Sequence, residues 1–203
     1  MITVLAGGVG AARFLRGLVL EVEPTNITVV VNTGDDTMMH GLNISPDLDT
    51  VTYTVANAID PERGWGLANE SWRVMESLAR YQDVKPDIST AAGTWFNLGD
   101  RDLATHLYRT ARIAEGATLS TVTQEIARAW GLTFNMMPMS DDQVSTKVDI
   151  IDGCEDAEYL SFRTRQCPKI NSVFGVCSIW LQVLMANDML PVVKHRKVVS
   201  DSC

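Results

Sequence analysis

Carboxylates come in pairs in this chain. Asp35 and Asp36 adjoin in Asn32-Thr-Gly-Asp-Asp36, and Asp47 and Asp49 stand two apart in Ser45-Pro-Asp-Leu-Asp-Thr50. Such acids could hold a hard cation like Mg2+, which takes oxygen ligands from one or two carboxylates and from phosphate. One of them could accept the proton of an attacking hydroxyl. The plainer alternative is that Asp47 or Asp49 caps a helix running through residues 50–58, with Pro46 fixing its own φ and keeping Ser45 extended. An anion would find a seat in Gly7-Gly8-Val9-Gly10, where glycines let the backbone turn sharply and the following helix offers free N–H groups. The competing reading of this loop is a tight strand–helix turn without a ligand. As a dinucleotide fingerprint it lacks the third glycine, because Arg13 stands in that place.

Leu98-Gly-Asp-Arg-Asp-Leu-Ala-Thr-His106 sets alternating charge just ahead of an apolar helix. Arg101 and the helix N-terminus could meet a phosphate; alternatively Asp102 caps the helix and Arg101 bridges the acids. His106 falls about one turn inside that helix, where a hydrogen-bonded core position competes with a chemical role. Asp60-Pro-Glu-Arg-Gly-Trp-Gly66 reads as a turn that carries Arg63 and an aromatic side chain, able to line a ring-shaped ligand or to cover the core.

Each of these segments ends or follows an apolar run, which places them on loops at one edge of an α/β sheet. Residues 2–5 read as a short buried strand and 11–22 as a helix, with Phe14, Leu15 and Leu18 inward and Arg13 and Arg16 outward. Residues 27–31 are an unbroken β-branched run, typical of a parallel strand covered on both faces. Strand, glycine loop, helix and strand make a βαβ unit with a right-handed crossover. Trp72, Met75, Leu78 and Ala79 predict a helix over 69–81, and Leu103, Leu107 and Ala111 a second one starting just after Asp102. Thr121 and Gln124 have capping-box spacing ahead of a helix whose apolar face is Ile126, Ala129 and Trp130 and which Gly131 ends. A further strand is expected over 133–137, closed by Pro138.

The 203 residues suit one domain, or one with an incomplete second part, and 46% apolar residues suffice for a packed core. A net charge of −8 argues against a general nucleic-acid binder, though one loop and one metal ion could still hold a nucleotide. No basic leader precedes the first strand, and no apolar run reaches the ~20 residues that span a bilayer. A cytoplasmic protein with no membrane partner is expected. The four cysteines, Cys154, Cys167, Cys177 and Cys203, form no C-x-x-C pair, so zinc is not expected and free thiols are.

Taken in order, Ala6–Gly10, Val31–Asp36, Gly41–Thr50, Arg63–Gly66, Leu98–His106 and Pro138–Asp142 with Val144–Thr146 closely resemble the CofD/FbiA family, the 2-phospho-L-lactate or phosphoenolpyruvate transferases of coenzyme F420 biosynthesis. The resemblance covers about three quarters of the chain. It implies a Rossmann-like three-layer αβα fold with a mainly parallel sheet, usually as a homodimer. It implies transfer of a phospholactyl or phosphoenolpyruvyl group from a guanosine-diphospho donor to a terminal hydroxyl of the deazaflavin Fo. The products are coenzyme F420-0 or its dehydro form and GMP, and Mg2+ is required. The match sets Asp49 and the position before Leu98 at the deazaflavin; family members often carry Lys there, whereas this chain has Asn97. On this basis Asp47 and Asp49 are the catalytic candidates, with Asp49, Asn97, Arg63 and Arg101 for substrate. Gly7, Gly8, Gly10 and Arg101 are assigned to phosphate, and Asp35, Asp36 and Asp47 to metal.

The resemblance fades after Phe162, and the family's Gly-Pro-Ser-Asn-Pro nucleotide loop is not found. The expectation is a CofD-like domain over 1–162, a divergent tail over 163–203, and a C-terminal part incomplete relative to the family, through truncation or a frame shift. An exposed sheet edge and uncovered apolar surface follow from that expectation. Two other readings remain: a nucleotide-sugar-binding regulator similar to the YvcK-like relatives, and a non-catalytic fragment that binds Fo alone.

Overall fold

The computed structural model describes residues 1–81, 84, 97–144, 147–148 and 157–158. The four cysteines, Thr146 and the segment 163–203 lie outside the described residues. The first βαβ unit is β1 (Ile2–Ala6), α1 (Val9–Glu21) and β2 (Ile27–Val31). A hairpin of β3 (Thr37–Met39) and β4 (Leu42–Ile44) follows. Its two-residue turn needs positive φ at both positions, supplied by His40 at 53° and Gly41 at 76°. Next come α2 (Pro46–Val55), α3 (Arg73–Leu78), α4 (Asp102–Ala114), α5 (Leu119–Ala129) and β5 (Asn135–Pro138). A short antiparallel pair, β6 (Lys147–Val148) with β7 (Ala157–Glu158), completes the described elements.

The main sheet is parallel, in the order β1-β2-β5, with Ala6 opposite Val31 and Val31 opposite Pro138. The α/β class with a mainly parallel sheet is thus what the chain adopts. Ile27, Val29 and Val31 are fully buried against Ala12 and Leu15 of α1, Leu48 and Val51 of α2, and Ala127 of α5. Thr28 and Val30, on the opposite face, are half-buried. Among the described residues helices therefore cover one face of the sheet, where the β-branched run of β2 suggested two.

Several local expectations shift. Phe14 of α1 is 59% exposed rather than inward, while Ala12 and Leu15 make the buried stripe. The helix expected over 69–81 is confined to α3, with a 3-10 turn at Ala79–Tyr81. α5 starts earlier than the Thr121–Gln124 pair implied: Thr118 is its cap, its hydroxyl accepting the Thr121 N–H. The largest revision concerns α4. Leu107 is 57% exposed, and the helix buries Thr105, His106 and Arg109 instead. A polar stripe faces the interior, docked on the hairpin through Asn43, whose N–H reaches Thr110 Oγ1 (2.8 Å) and whose carbonyl accepts from Arg109 (3.2 Å).

Candidate active site

Because β1, β2 and β5 run parallel and end in register, the loops after them open at one sheet edge, the usual ligand edge of an open α/β sheet. Gly7–Gly10 follows β1 and Asn32–Asp36 follows β2. The hairpin then returns the chain so that α2 starts beside both. An ideal Cβ on Gly8 would lie 2.5 Å from Asp47 Oδ1, so only glycine admits this approach of the α2 carboxylate to the loop. Asn32 ties the acids together: its amide donates to Asp47 (2.9 Å) and Asp35 (3.5 Å), and its oxygen accepts the Gly34 N–H (3.0 Å). Ser45 Oγ donates to Asp36 (2.8 Å). Neither Asp47 nor Asp49 caps α2; both lie inside its first turn, and no side chain makes the cap bond.

The two α2 acids have different surroundings. Among the described residues, Asp35, Asp36 and Asp47 form no ion pair. Burial pushes Asp36 up to about 8 and Asp47 up to about 6. Burial and then the Asp47 charge raise Asp35 well above the carboxylate range. Asp49, 4% exposed, is met by Arg109, 1% exposed, which donates a short charge-assisted bond to Oδ1. Burial still raises Asp49, against the opposing pull of Arg109. Arg109 also reaches His106 Nδ1 (3.3 Å), and that nitrogen lies 3.6 Å from Asp49 Oδ2. His106 Nε2 lies 3.2 Å from Asp102 Oδ2, without hydrogen-bond alignment. Tyr53 donates to Asp102 (2.5 Å), and its oxygen is 2.8 Å from Thr105 Oγ1. Burial favours protonating Asp102, but the His106 ring and the Tyr53 hydroxyl outweigh it and hold Asp102 below its ordinary value.

One group among the described residues brings three ligand atoms close enough for a cation. Asp49, Asp102 and His106 present ligand atoms within 4.8 Å of one another. Arg109 already supplies positive charge there, which weighs against a second cation. Among the described residues Asp35, Asp36 and Asp47 form no ion pair, though the Arg109 charge also pulls on Asp36, whose Oδ1 is buried without a hydrogen-bond partner. Desolvated carboxylate oxygens are the ligand type a hard divalent ion takes, but among the described residues only Asp49, Asp102 and His106 bring three ligand atoms together.

The remaining sequence candidates divide. Gly7, Gly8 and Gly10 border the α1 N-terminus, which has no side-chain cap and no acid in its first turn, as an anion seat requires. Arg101 is exposed and donates to the Ala68 carbonyl (2.6 Å). The first turn of α4, its expected phosphate partner, already gives the Asp102 N–H to Glu70 (2.9 Å). Arg63 is held within its own turn by Asp60 (3.0 Å) and the Leu67 carbonyl (2.9 Å), and it stacks on Trp65 and Trp72. Asn97 is half-buried beside Leu98. Asn32, Tyr53, Glu70 and Arg109 were given no role by the sequence. For Arg109 a signal existed, since Asp102, His106 and Arg109 recur at i, i+4 and i+7 on one helical face.

Fold and site together describe an α/β protein with a glycine loop at the ligand edge of its sheet and buried carboxylates beside it. Residues 2–175 match the family described as 2-phospho-L-lactate transferase CofD, and the chain belongs to that family. It is 47% identical over 151 residues to a phosphoenolpyruvate transferase of Nocardia farcinica, covering 74% of this chain and 43% of the relative. It is 43% identical over 169 residues to one of Mycobacterium bovis, covering 77% and 49%. The chain thus spans about half the length of these relatives. A solved structure of a UPF0052-family protein of Bacillus halodurans aligns with a TM-score of 0.46 at 16% identity, over 79% of this chain and 46% of the other.

Proposed function

We propose that this chain carries the acceptor and metal half of a phosphoenolpyruvate or phospholactate transferase of coenzyme F420 biosynthesis. The group moves from a guanosine-diphospho donor to a terminal hydroxyl of Fo, giving dehydro-F420-0 or F420-0 and GMP. The phosphoenolpyruvyl donor is preferred, because the relatives cited above are named for it. One observation carries the reading: the desolvated carboxylate of Asp47, with no ion pair among the described residues, stands against the glycine loop at the ligand edge of the sheet, and the buried Asp35 and Asp36 lie on the adjoining loop.

In this reading Asp35, Asp36 and Asp47 hold Mg2+, which when bound supplies charge neutralisation to the diphosphate. Gly8, Gly10 and the first N–H groups of α1 receive a phosphate. The Fo hydroxyl attacks the phosphorus nearer the transferred group. The new O–P bond forms as the bond to the GMP oxygen breaks, so catalysis is positioning and electrostatics. Asp49 Oδ2, buried without a hydrogen-bond partner and aligned by Arg109, is the acceptor for the hydroxyl proton. The partners of the assembled enzyme are Fo, the guanosine-diphospho donor and a second copy of the chain.

Titrating Fo fluorescence with the purified chain, with and without Mg2+ and GDP, tests this. Saturable quenching is expected, strengthened by Mg2+; sensitivity to GDP would extend the reading to the donor. A folded chain that leaves Fo fluorescence unchanged would remove the acceptor assignment.

A further inference from the structure

Two loops that the sequence offers separately are joined by one buried carboxylate. Glu70, its side chain 1% exposed, stands between the Arg63–Gly66 turn and the Leu98–Asp102 loop. One oxygen accepts the Leu67 N–H (3.0 Å), the other accepts the Asp102 N–H (2.9 Å), and Arg63 Nη2 lies 3.6 Å away. Glycines make room on both sides. A Cβ on Gly99 would overlap the carboxylate, and one on Gly66 would lie 2.9 Å from Oε2. Neighbouring bonds run the same way: Asp100 accepts the Ser71 N–H (2.8 Å) and hydroxyl (2.9 Å), and Arg101 donates to Ala68.

A carboxylate at a helix N-terminus is stabilised by the helix dipole and by charge-assisted hydrogen bonds. Here it takes the place a ligand phosphate could occupy on α4. Its consequence runs inward. The backbone N–H that Glu70 holds belongs to Asp102, whose own carboxylate receives Tyr53 and faces His106, and His106 lies against Asp49.

We infer that Glu70 is a positioning residue of the acceptor site: an internal anion seated on the α4 N-terminus that fixes Asp102 and, through it, the His106–Asp49 contact. This rests on the acceptor-site reading above. Burial leaves the group costly to keep charged, so its removal should empty a polar seat rather than an apolar one.

The test compares the parent chain with Glu70→Ala and Glu70→Gln by Fo quenching, with folding checked by circular dichroism. For folded Glu70→Ala, Fo binding about tenfold weaker or more is expected, the scale of losing a buried charged hydrogen-bond acceptor. Added acetate should restore it and acetamide should not, a distinction that lost packing alone would not make. Unchanged affinity, or rescue by neither or by both additives, overturns the inference. If Glu70→Ala does not fold, Glu70→Gln decides: it keeps one acceptor oxygen but loses the charge, so weaker binding supports the inference and parental binding overturns it. Should the parent itself fail to bind Fo, the acceptor-site reading falls. Hydrogen exchange at the Asp102 amide then judges Glu70 alone: faster exchange in Glu70→Gln supports the anchor, and parental exchange overturns it.

Discussion

Asp47 and Asp49 sit two residues apart in the same helical turn, yet the protein treats them oppositely. Asp49 is given a guanidinium of its own, and beyond it Asp102 is held ionised by His106 and Tyr53. Asp47 is given an amide, a glycine and two more carboxylates, with no ion pair among the described residues. Burial without a partner is costly for a carboxylate, and a protein that accepts that cost at Asp47 while relieving it two residues on, with an arginine 60 positions from Asp49 in sequence, has separated two tasks. The Asp49 side has its own cation and, in the proposed reading, aligns a substrate through the unpartnered Oδ2. In the proposed reading, the Asp47 side is completed by an added cation.

The sharpest way to break this contrast is Arg109→Met. It leaves Asp49 buried and unpaired, and a loss of about 3–5 kcal/mol is expected in chemical denaturation. Adding Asp49→Asn in that background should recover part of the loss; no recovery would mean the pair is not what Arg109 stabilises. Next in size, Gly8→Ala drives a methyl into Asp47 Oδ1, with an expected cost of about 1–3 kcal/mol from overpacking. The same variant should lose the gain in melting temperature that Mg2+ gives the parent. Asp47→Asn should change the metal-free stability by less than about 1 kcal/mol, because it removes a carboxylate that nothing neutralises. Mg2+ should no longer raise its melting temperature; a Mg2+ response equal to the parent's would move the metal away from Asp47.

The last test is of pH. The folded chain keeps protons on Asp47 and Asp36 to about 6 and about 8, whereas the unfolded carboxylates release theirs near 4. Between those limits the folded state binds more protons, so metal-free stability should fall as pH rises from about 4 to about 8. Saturating Mg2+ should flatten or reverse that slope. A metal-free melting temperature that rises through the same range would contradict the burial of these acids without a partner.

Much of this was legible in the chain, for physical reasons. β2 shows itself as Ile27–Val31 because an unbroken β-branched run has few other places to go, and Gly131 at φ 77° ends α5 where the sequence asked for a stop. The four acids were recognisable as a group because glycine and asparagine around Asp35 and Asp36 mark a loop, and Pro46 marks a helix start just before Asp47 and Asp49. What stayed hidden was pairing across distance. Arg109 reads as one more surface arginine until the hairpin brings Asn43 and Asp49 to it. Arg63 and Arg101 read as free cations until the 60–71 segment folds back and employs them. The same blindness explains α4: leucines at helical spacing suggested an apolar face, but the surface it docks on is itself polar, and the helix turned its polar side inward.

The missing side chain at Gly8 has one more consequence. With 2.5 Å between a Cβ there and Asp47 Oδ1, the anion seat and the acidic pocket share a wall one atom thick. Whatever neutralises Asp47 also removes negative potential from the place where a phosphate would sit, and a phosphate in turn draws a cation to Asp47. Thermodynamic reciprocity requires the two effects to be equal. If the proposed cation and donor both bind there, they tighten one another by the same factor, and an affinity measured for either one alone understates its affinity when the other is bound.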